Sequence, residues 1–351
     1  MRLLILVLLC LATIGLEATP DQPDFSWTKR LSEAANGVEW SPDGHSIVFY
    51  NEDDRQIAML DWKTGAVAWR TPFPASGFAP GAFLARWSPD GHWIAATYAG
   101  KLYLIDPQTG HFELREVSAP PGRTAPVFYI LPRWDADSTS LAVLDVQGFI
   151  DVLTLPTGEI TQSLEMSGGI EYQSQYVAFD LSPDGQFFVG FAWSYRTTGV
   201  SVVFWDRGGN VLGTYTRESE TDPIPGTPCL GNAEDVISLE WANDSRTLVA
   251  AGTFGYSVCR LNSDGTVYHR FIADNGASIF RWSPDQRWFV GAASAGQVFW
   301  ITDTANDYQT TEEQIDPDSA QITSFAWSPD SQHLAIGTRS ELWIGTLELR
   351  Q

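Results

Sequence analysis

Basic side chains are scarce in this chain: 21 Lys and Arg stand against 43 Asp and Glu, a formal net charge of −22 at neutral pH. Such a surface repels polyanions, which argues against a nucleic-acid partner. It suits solubility, and it would draw cationic peptides or calcium. Cysteine is nearly missing, with only Cys10, Cys229 and Cys259, so the fold is not a disulfide-dense scaffold. After residue 16 no apolar run is long enough to span a bilayer. Motifs of chemistry are missing as well: there is no Gly-x-Ser-x-Gly elbow, Cys-x-x-Cys pair, phosphate loop or paired metal-type His. The five His residues are scattered, and His45, His92 and His333, each just beyond a turn, are expected to face solvent on separate units. Neither a metal nor a cofactor is expected.

What the chain has is one turn used seven times. Trp40-Ser41-Pro42-Asp43-Gly44 returns intact at residues 87–91 and in altered form at 134–138, 181–185, 241–245, 282–286 and 327–331. Every copy keeps its Asp. Asp43, Asp90, Asp137, Asp184, Asp244, Asp285 and Asp330 are spaced by 47, 47, 47, 60, 41 and 45 residues, the period of an array of one supersecondary unit. Pro presets the first central position of a type I turn, Asp accepts local backbone hydrogen bonds, and Gly tolerates positive φ. The flanking runs, such as Ile47-Val48-Phe49-Tyr50 and Leu334-Ala335-Ile336, are nearly continuous in apolar residues. Strands of that kind are covered on both faces.

Each unit continues with a third strand, such as residues 56–61 or 202–206, then a second tight turn such as Lys63-Thr64-Gly65, then a fourth strand. Four antiparallel strands per unit, repeated seven times with no convincing helical period, predict an all-β fold: a seven-bladed β-propeller occupying residues 19–351. An apolar fraction of 44% with only 18% charged residues allows a large core. Six Trp residues stand immediately before a recurring turn, where each would close an inner strand and wedge against the next blade.

From about residue 24 the chain resembles the WD-repeat propellers and, in its Trp-Ser-Pro-Asp-Gly turns, the WD40-like repeats of TolB-type exported bacterial propellers. The Trp-Asp pair that names the first family survives as Trp205-Asp206, with Leu60-Asp61 and Ile105-Asp106 as echoes. No Gly-His pair opens a blade, so the family's hydrogen-bonded tetrad has no counterpart and packing is expected to replace it. The resemblance implies export and a binding role.

The N-terminus agrees with export. After Arg2 runs an apolar stretch from Leu3 to Leu16, and small residues at Gly15 within it and Ala18 beyond it offer processing sites. Residues 1–18 read as a signal peptide, or as an N-terminal anchor if retained, which places the protein in the periplasm, the envelope or outside the cell. In an oxidising compartment Cys229 and Cys259 are candidates for a disulfide, with separately buried thiols as the other reading. Ring closure is also legible. The seventh unit lacks an outer strand and residues 25–31 look like an orphan one, so these are expected to pair antiparallel with residues 342–348.

Two sets of residues are candidates for function. Glu39, Arg86, Arg133, Asp180, Glu240 and Arg281 each precede the Trp or Leu of a turn and, taken in neighbouring pairs, set opposite charges against each other, with Ala326 in the seventh place. They are expected to form inter-blade ion pairs lining the central channel, or else a charged funnel for a small polar ligand. The long connections between blades carry Phe73, Phe78, Phe83, Phe128 and Tyr129, and, in the longest, Glu218, Glu220 and Asp222. Variable loops on a rigid scaffold are where recognition usually sits. The reading is a monomeric exported scaffold, not an enzyme, that docks a protein or peptide on its loop-rich face. The alternatives are a propeller lactonase or lyase using Glu39, Asp180 and Glu240, and a structural envelope component.

Overall fold

A computed structural model describes residues 23–349 apart from 74–82, 116, 118–122, 124–127, 146–147, 167–175, 195–198, 218–235, 253–254, 262–266, 274–276, 278, 294–295 and 316–320. The described chain forms seven four-stranded antiparallel sheets arranged as the blades of a propeller. Blades one to six span residues 36–72, 84–115, 129–165, 176–217, 236–273 and 279–314. Blade seven takes residues 322–349 and borrows its outermost strand, Pro23–Leu31, from the other end of the chain. That strand runs antiparallel to Leu342–Leu349 with Phe25 opposite Leu347 and Thr28 opposite Ile344, which is the closure expected from the sequence.

Buried apolar residues fall into seven clusters, and each cluster is one blade-to-blade interface. A strand shows its side chains alternately to its two faces. Ile47 and Phe49 accordingly pack toward blade seven, while Val48 and Tyr50, on the same strand, pack toward blade two. This is the physical reason for unbroken apolar runs: neither face of a blade is wet.

The recurring turn is built by its Asp. In all seven copies the backbone N–H of the fifth residue donates to the carbonyl of the second, as Gly44 does to Ser41 at 2.9 Å. In all seven the Asp carboxylate also accepts from a backbone N–H two residues on, at 2.8–3.0 Å. Where the second residue is Ser, its hydroxyl donates to the same carboxylate and accepts from the backbone N–H five residues on, as Ser88 does between Asp90 and Trp93. No other side chain is short enough and ionised for that place.

The fifth residue has positive φ in every copy, whether it is Gly (Gly44, Gly91, Gly185) or not (Ser138, Ser245, Gln286, Ser331). A non-glycine residue there costs roughly 1–2 kcal/mol. The three serines offset it by reaching across to the preceding blade. Ser138 Oγ accepts the backbone N–H of Asp90, Ser245 that of Asp184 and Ser331 that of Asp285, at 3.0–3.1 Å. Other departures from the repeat make comparable ties. Asp135, in the Ser position of the third copy, pairs with Arg207 of blade four, and a Cβ on Gly185 would lie 2.4 Å from its carboxylate. Asn243, in the Pro position of the fifth, donates to the carbonyl of Pro284 at 2.5 Å. The altered copies thus hold neighbouring blades together, a role that packing alone was expected to carry. The Asp of the family-naming pair serves its own blade: Asp61, Asp106 and Asp206 accept from the backbone of the second turn.

His45 and His92 are exposed, as expected. His333 is not: its ring lies 4.4 Å from that of Trp62 and stacks at 6.3 Å on Trp40, across the junction of blades seven and one.

Two outcomes follow from this architecture. Deleting residues 19–32 removes the strand that completes blade seven, so the variant should unfold or aggregate as a whole; unchanged melting behaviour would refute closure. Burial pushes the Asp90 carboxyl up, but hydrogen bonds from Ser88 and His92 outweigh it and hold the group at about 2. Asp43 and Asp330 are lowered as well, against the same burial effect and again through their serines. Folded values below the unfolded one of about 3.9 contribute stability that is complete above that pH and is lost as pH falls toward 2. Acid unfolding monitored by Trp fluorescence should therefore have its midpoint in that window, and Asp90→Asn should flatten the pH dependence there.

Candidate functional site

The inner strand of each blade lines the central channel, and the residue before its last position turns inward. Glu39 comes from Asn36–Trp40, Arg86 from Leu84–Trp87, Arg133 from Tyr129–Trp134, Asp180 from Tyr176–Leu181, Glu240 from Val236–Trp241 and Arg281 from Ile279–Trp282. The structure joins them two by two. Arg86 contacts Glu39 at 3.0 Å, Arg281 contacts Glu240 at 3.2 Å, and the Arg133 Nε donates to Asp180. All three guanidinium groups also fold back onto the carbonyl of the preceding residue: Ala85, Pro132 and Phe280.

The carboxylates have second duties. Asp180 Oδ2 accepts the backbone N–H of Trp241 at 2.7 Å, and Glu240 Oε1 that of Trp282 at 3.1 Å. Where the neighbouring inner residue is not an acid, the Trp indole takes over. Trp40 donates to the carbonyl of Ala326, Trp134 to Arg86 and Trp327 to Arg281. The ion pairs tie blades one to two, three to four and five to six. The serine ties described above join two to three, four to five and six to seven. The remaining junction, seven to one, is closed by the shared last blade and by Val38 donating to Ser324 Oγ at 3.1 Å.

The charges feel one another across the channel. Burial, with Arg281 and Arg133 nearby, pushes the Arg86 guanidinium down to about 10 despite Glu39. Arg133 is raised in spite of its burial, because Asp180 holds its proton. Burial raises Glu240, with Asp180 adding to it and Arg281 opposing it. Three acids and three arginines leave no net charge. The side chains keep between 6% and 21% of their exposure, so a narrow polar channel remains and each carboxylate faces a guanidinium within it.

The loop candidates separate into two groups. Phe73, Phe83 and Tyr129 belong to the core, at 3%, 3% and 2% exposure, and are corrected from contact residues to packing residues. Phe73 and Phe83 lie against Tyr50 at the junction of blades one and two, where they join its apolar cluster. Tyr129 begins the inner strand of blade three and its hydroxyl donates to Asp151 at 3.0 Å. Burial first, then the Asp151 charge, pushes that phenol well above its ordinary range. Phe128, by contrast, is 42% exposed. Phe78, Glu218, Glu220, Asp222 and Cys229 lie outside the described residues. Cys259 is buried in the third strand of blade five. Sequence reasoning missed Arg123, Asp145 and Asp151, which have no repeat partner to mark them. Among the described residues no three His, Cys, Asp or Glu are placed to hold a metal ion.

No protein-family profile matches the chain, and no curated protein sequence does. Among solved structures it is similar to a chain of hydrazine synthase from Kuenenia stuttgartiensis, with a TM-score of 0.65 over 91% of this chain and 96% of that one. At 13% identity the likeness shows the propeller fold alone.

Losing Arg133 should leave Asp180, with 6% side-chain exposure, buried without its cation. Arg133→Met is expected to cost roughly 3 kcal/mol in urea unfolding. Adding Asp180→Asn, which still accepts the Trp241 N–H, should restore a large part of it. A double-mutant cycle with no coupling would remove the pair from the account of stability.

Proposed function

We propose that this protein is an exported WD40-like propeller of the TolB type that docks a protein or peptide on its loop-rich face. The observation that carries the reading is the state of the inner ring: Glu39, Asp180 and Glu240, the acids an enzyme of this shape would use, are each engaged by an arginine of an adjoining blade. General acid–base work needs a carboxyl held near its substrate and free to exchange a proton. These are held as structural counter-ions. The seven Asp turns, with their short second turns, occupy one end of the ring. The longer connections emerge at the other, where sequence varies most from blade to blade.

The apolar segment at residues 3–16 supports export, and export in turn supports a Cys229–Cys259 bridge, worth roughly 3–4 kcal/mol by chain entropy. Electrophoretic peptide mapping with and without reductant tests the bridge. Docking is tested by placing a photocrosslinking amino acid at Phe128, exposed at the loop-rich end, and at Val211, 58% exposed beside a short turn at the opposite end. In cells of the source, adducts to one partner should form from position 128 and not from position 211. Equal labelling from both positions, or none, would overturn the assignment of the face.

A further inference from the structure

Blade three contains a buried polar site that the inner ring does not involve. Asp151 lies on the third strand, Phe149–Thr154, and faces Ser163 on the fourth, whose hydroxyl donates to it at 2.7 Å. Asp145 ends the second strand, and Tyr129 starts the first. Both aspartate side chains have no exposure at all. Into this site comes Arg123, from the connection between blades two and three. Its two terminal nitrogens reach the two oxygens of Asp151 at 2.6 and 2.9 Å, and Nη1 lies 3.5 Å from Asp145. Its guanidinium carbon sits 3.9 Å from the centre of the Phe149 ring. Ser163 Oγ lies 3.3 Å from Nη2.

Every group that receives the guanidinium stands on a strand of blade three and is held by sheet pairing, whereas the occupant comes from outside the sheet. The receptor is therefore in place before Arg123 enters it. Its features match arginine and not lysine: a carboxylate presented edge-on for two parallel hydrogen bonds, and an aromatic face for the planar cation. Asp151 holds the guanidinium with both oxygens and Asp145 lies beside it, within a chain already strongly acidic. Arg123 as a residue is half-buried although its side chain is 7% exposed, which puts its backbone near the surface and its head group inside. The site lies at the loop-rich end, since Tyr129 starts an inner strand, Asp145 ends the second strand and Phe149 starts the third.

We infer that this is an arginine-recognition pocket, filled in the resting protein by the chain's own Arg123 and able to take the arginine side chain of a docked peptide in its place. The inference rests on the docking role proposed above and names its ligand class. The outside arginine would gain what Arg123 gives up, so affinity is set by competition with a tethered group. A peptide with arginine at its contact point would be selected over one with lysine.

The test uses the full mature chain and two probes, N-acetyl-arginine amide and N-acetyl-lysine amide, followed by calorimetric titration. Arg123→Ala vacates the pocket and should bind the arginine amide at least about tenfold more tightly than wild type does, and at least about tenfold more tightly than it binds the lysine amide. Combining it with Asp151→Asn should abolish that binding. Arg123→Lys keeps a cation in the site and serves if the alanine variant does not fold; it should show the same preference for the arginine amide. Equal binding of both amides, no binding by either variant, binding indifferent to Asp151→Asn, or failure of both variants to fold would each overturn the proposal. The two readings can fail separately. Arginine binding without crosslinking at position 128 would keep the pocket and remove the docking face. Crosslinking without arginine binding would keep the face and remove this ligand class.

Discussion

A propeller is stable only if its ring closes, because every blade depends on two neighbours to bury its two faces. Here closure is made by one strand pairing, Pro23–Leu31 against Leu342–Leu349, between the ends of the described chain. It places Phe25 and Trp27 against Phe299 of blade six, so the borrowed strand supplies side chains to the adjoining interface as well as hydrogen bonds to its own sheet. With the junction open, Leu342–Leu349 would present an unpaired edge and Trp327 and Ile336 would lose part of their cover. Five of the seven interfaces are formed between blades whose own strands are local in sequence. The two that blade seven makes wait for both ends of the propeller chain.

Around the ring, polar ties alternate with some regularity. Ion pairs in the channel serve one set of junctions and serine bonds between turns serve the next. The alternation has a geometric reason. Around the ring the inner residues run Glu, Arg, Arg, Asp, Glu, Arg, so each arginine is spent on one neighbouring acid, and Arg86 and Arg281 present only their carbonyls to the blade after. A Trp indole or a turn serine then makes the next connection. Partly buried charges cost desolvation energy, so one ion pair per two junctions is a cheaper arrangement than a cation and an anion at every blade. The missing seventh charge, at Ala326, falls where closure already holds the blades together.

The same economy bears on function. In the inner ring, three acids are matched by three arginines, and these charged groups hold blades together. The loop-rich end differs. There the Arg123 guanidinium comes from a connection and not from a sheet, and two buried carboxylates of blade three receive it. A binding protein of this construction would gain selectivity from the pocket and breadth from the surrounding connections.

The fold was almost fully legible because the information for it is local and repeated. An Asp that must accept two residues on, a Pro or its substitute, and a residue at positive φ recur at a spacing that fits one blade, and strand faces follow from alternation. The pairing of Glu39 with Arg86, Arg133 with Asp180 and Glu240 with Arg281 was legible for the same reason: homologous positions in a ring are neighbours. Tertiary structure alone decided the rest. Phe73, Phe83 and Tyr129 looked like surface recognition residues because connections carry no period from which burial can be read. His333 left the solvent because Trp40 and Trp62 meet over it from another blade. Arg123 and Asp151 are 28 residues apart, one on a connection and the other an acid on a third strand that has no acid at the matching place in the other blades. Sequence by itself determined what repeats. The pairing of groups that occur once required the ring to be closed and the connections laid across it, since only then does a long-range contact have a distance.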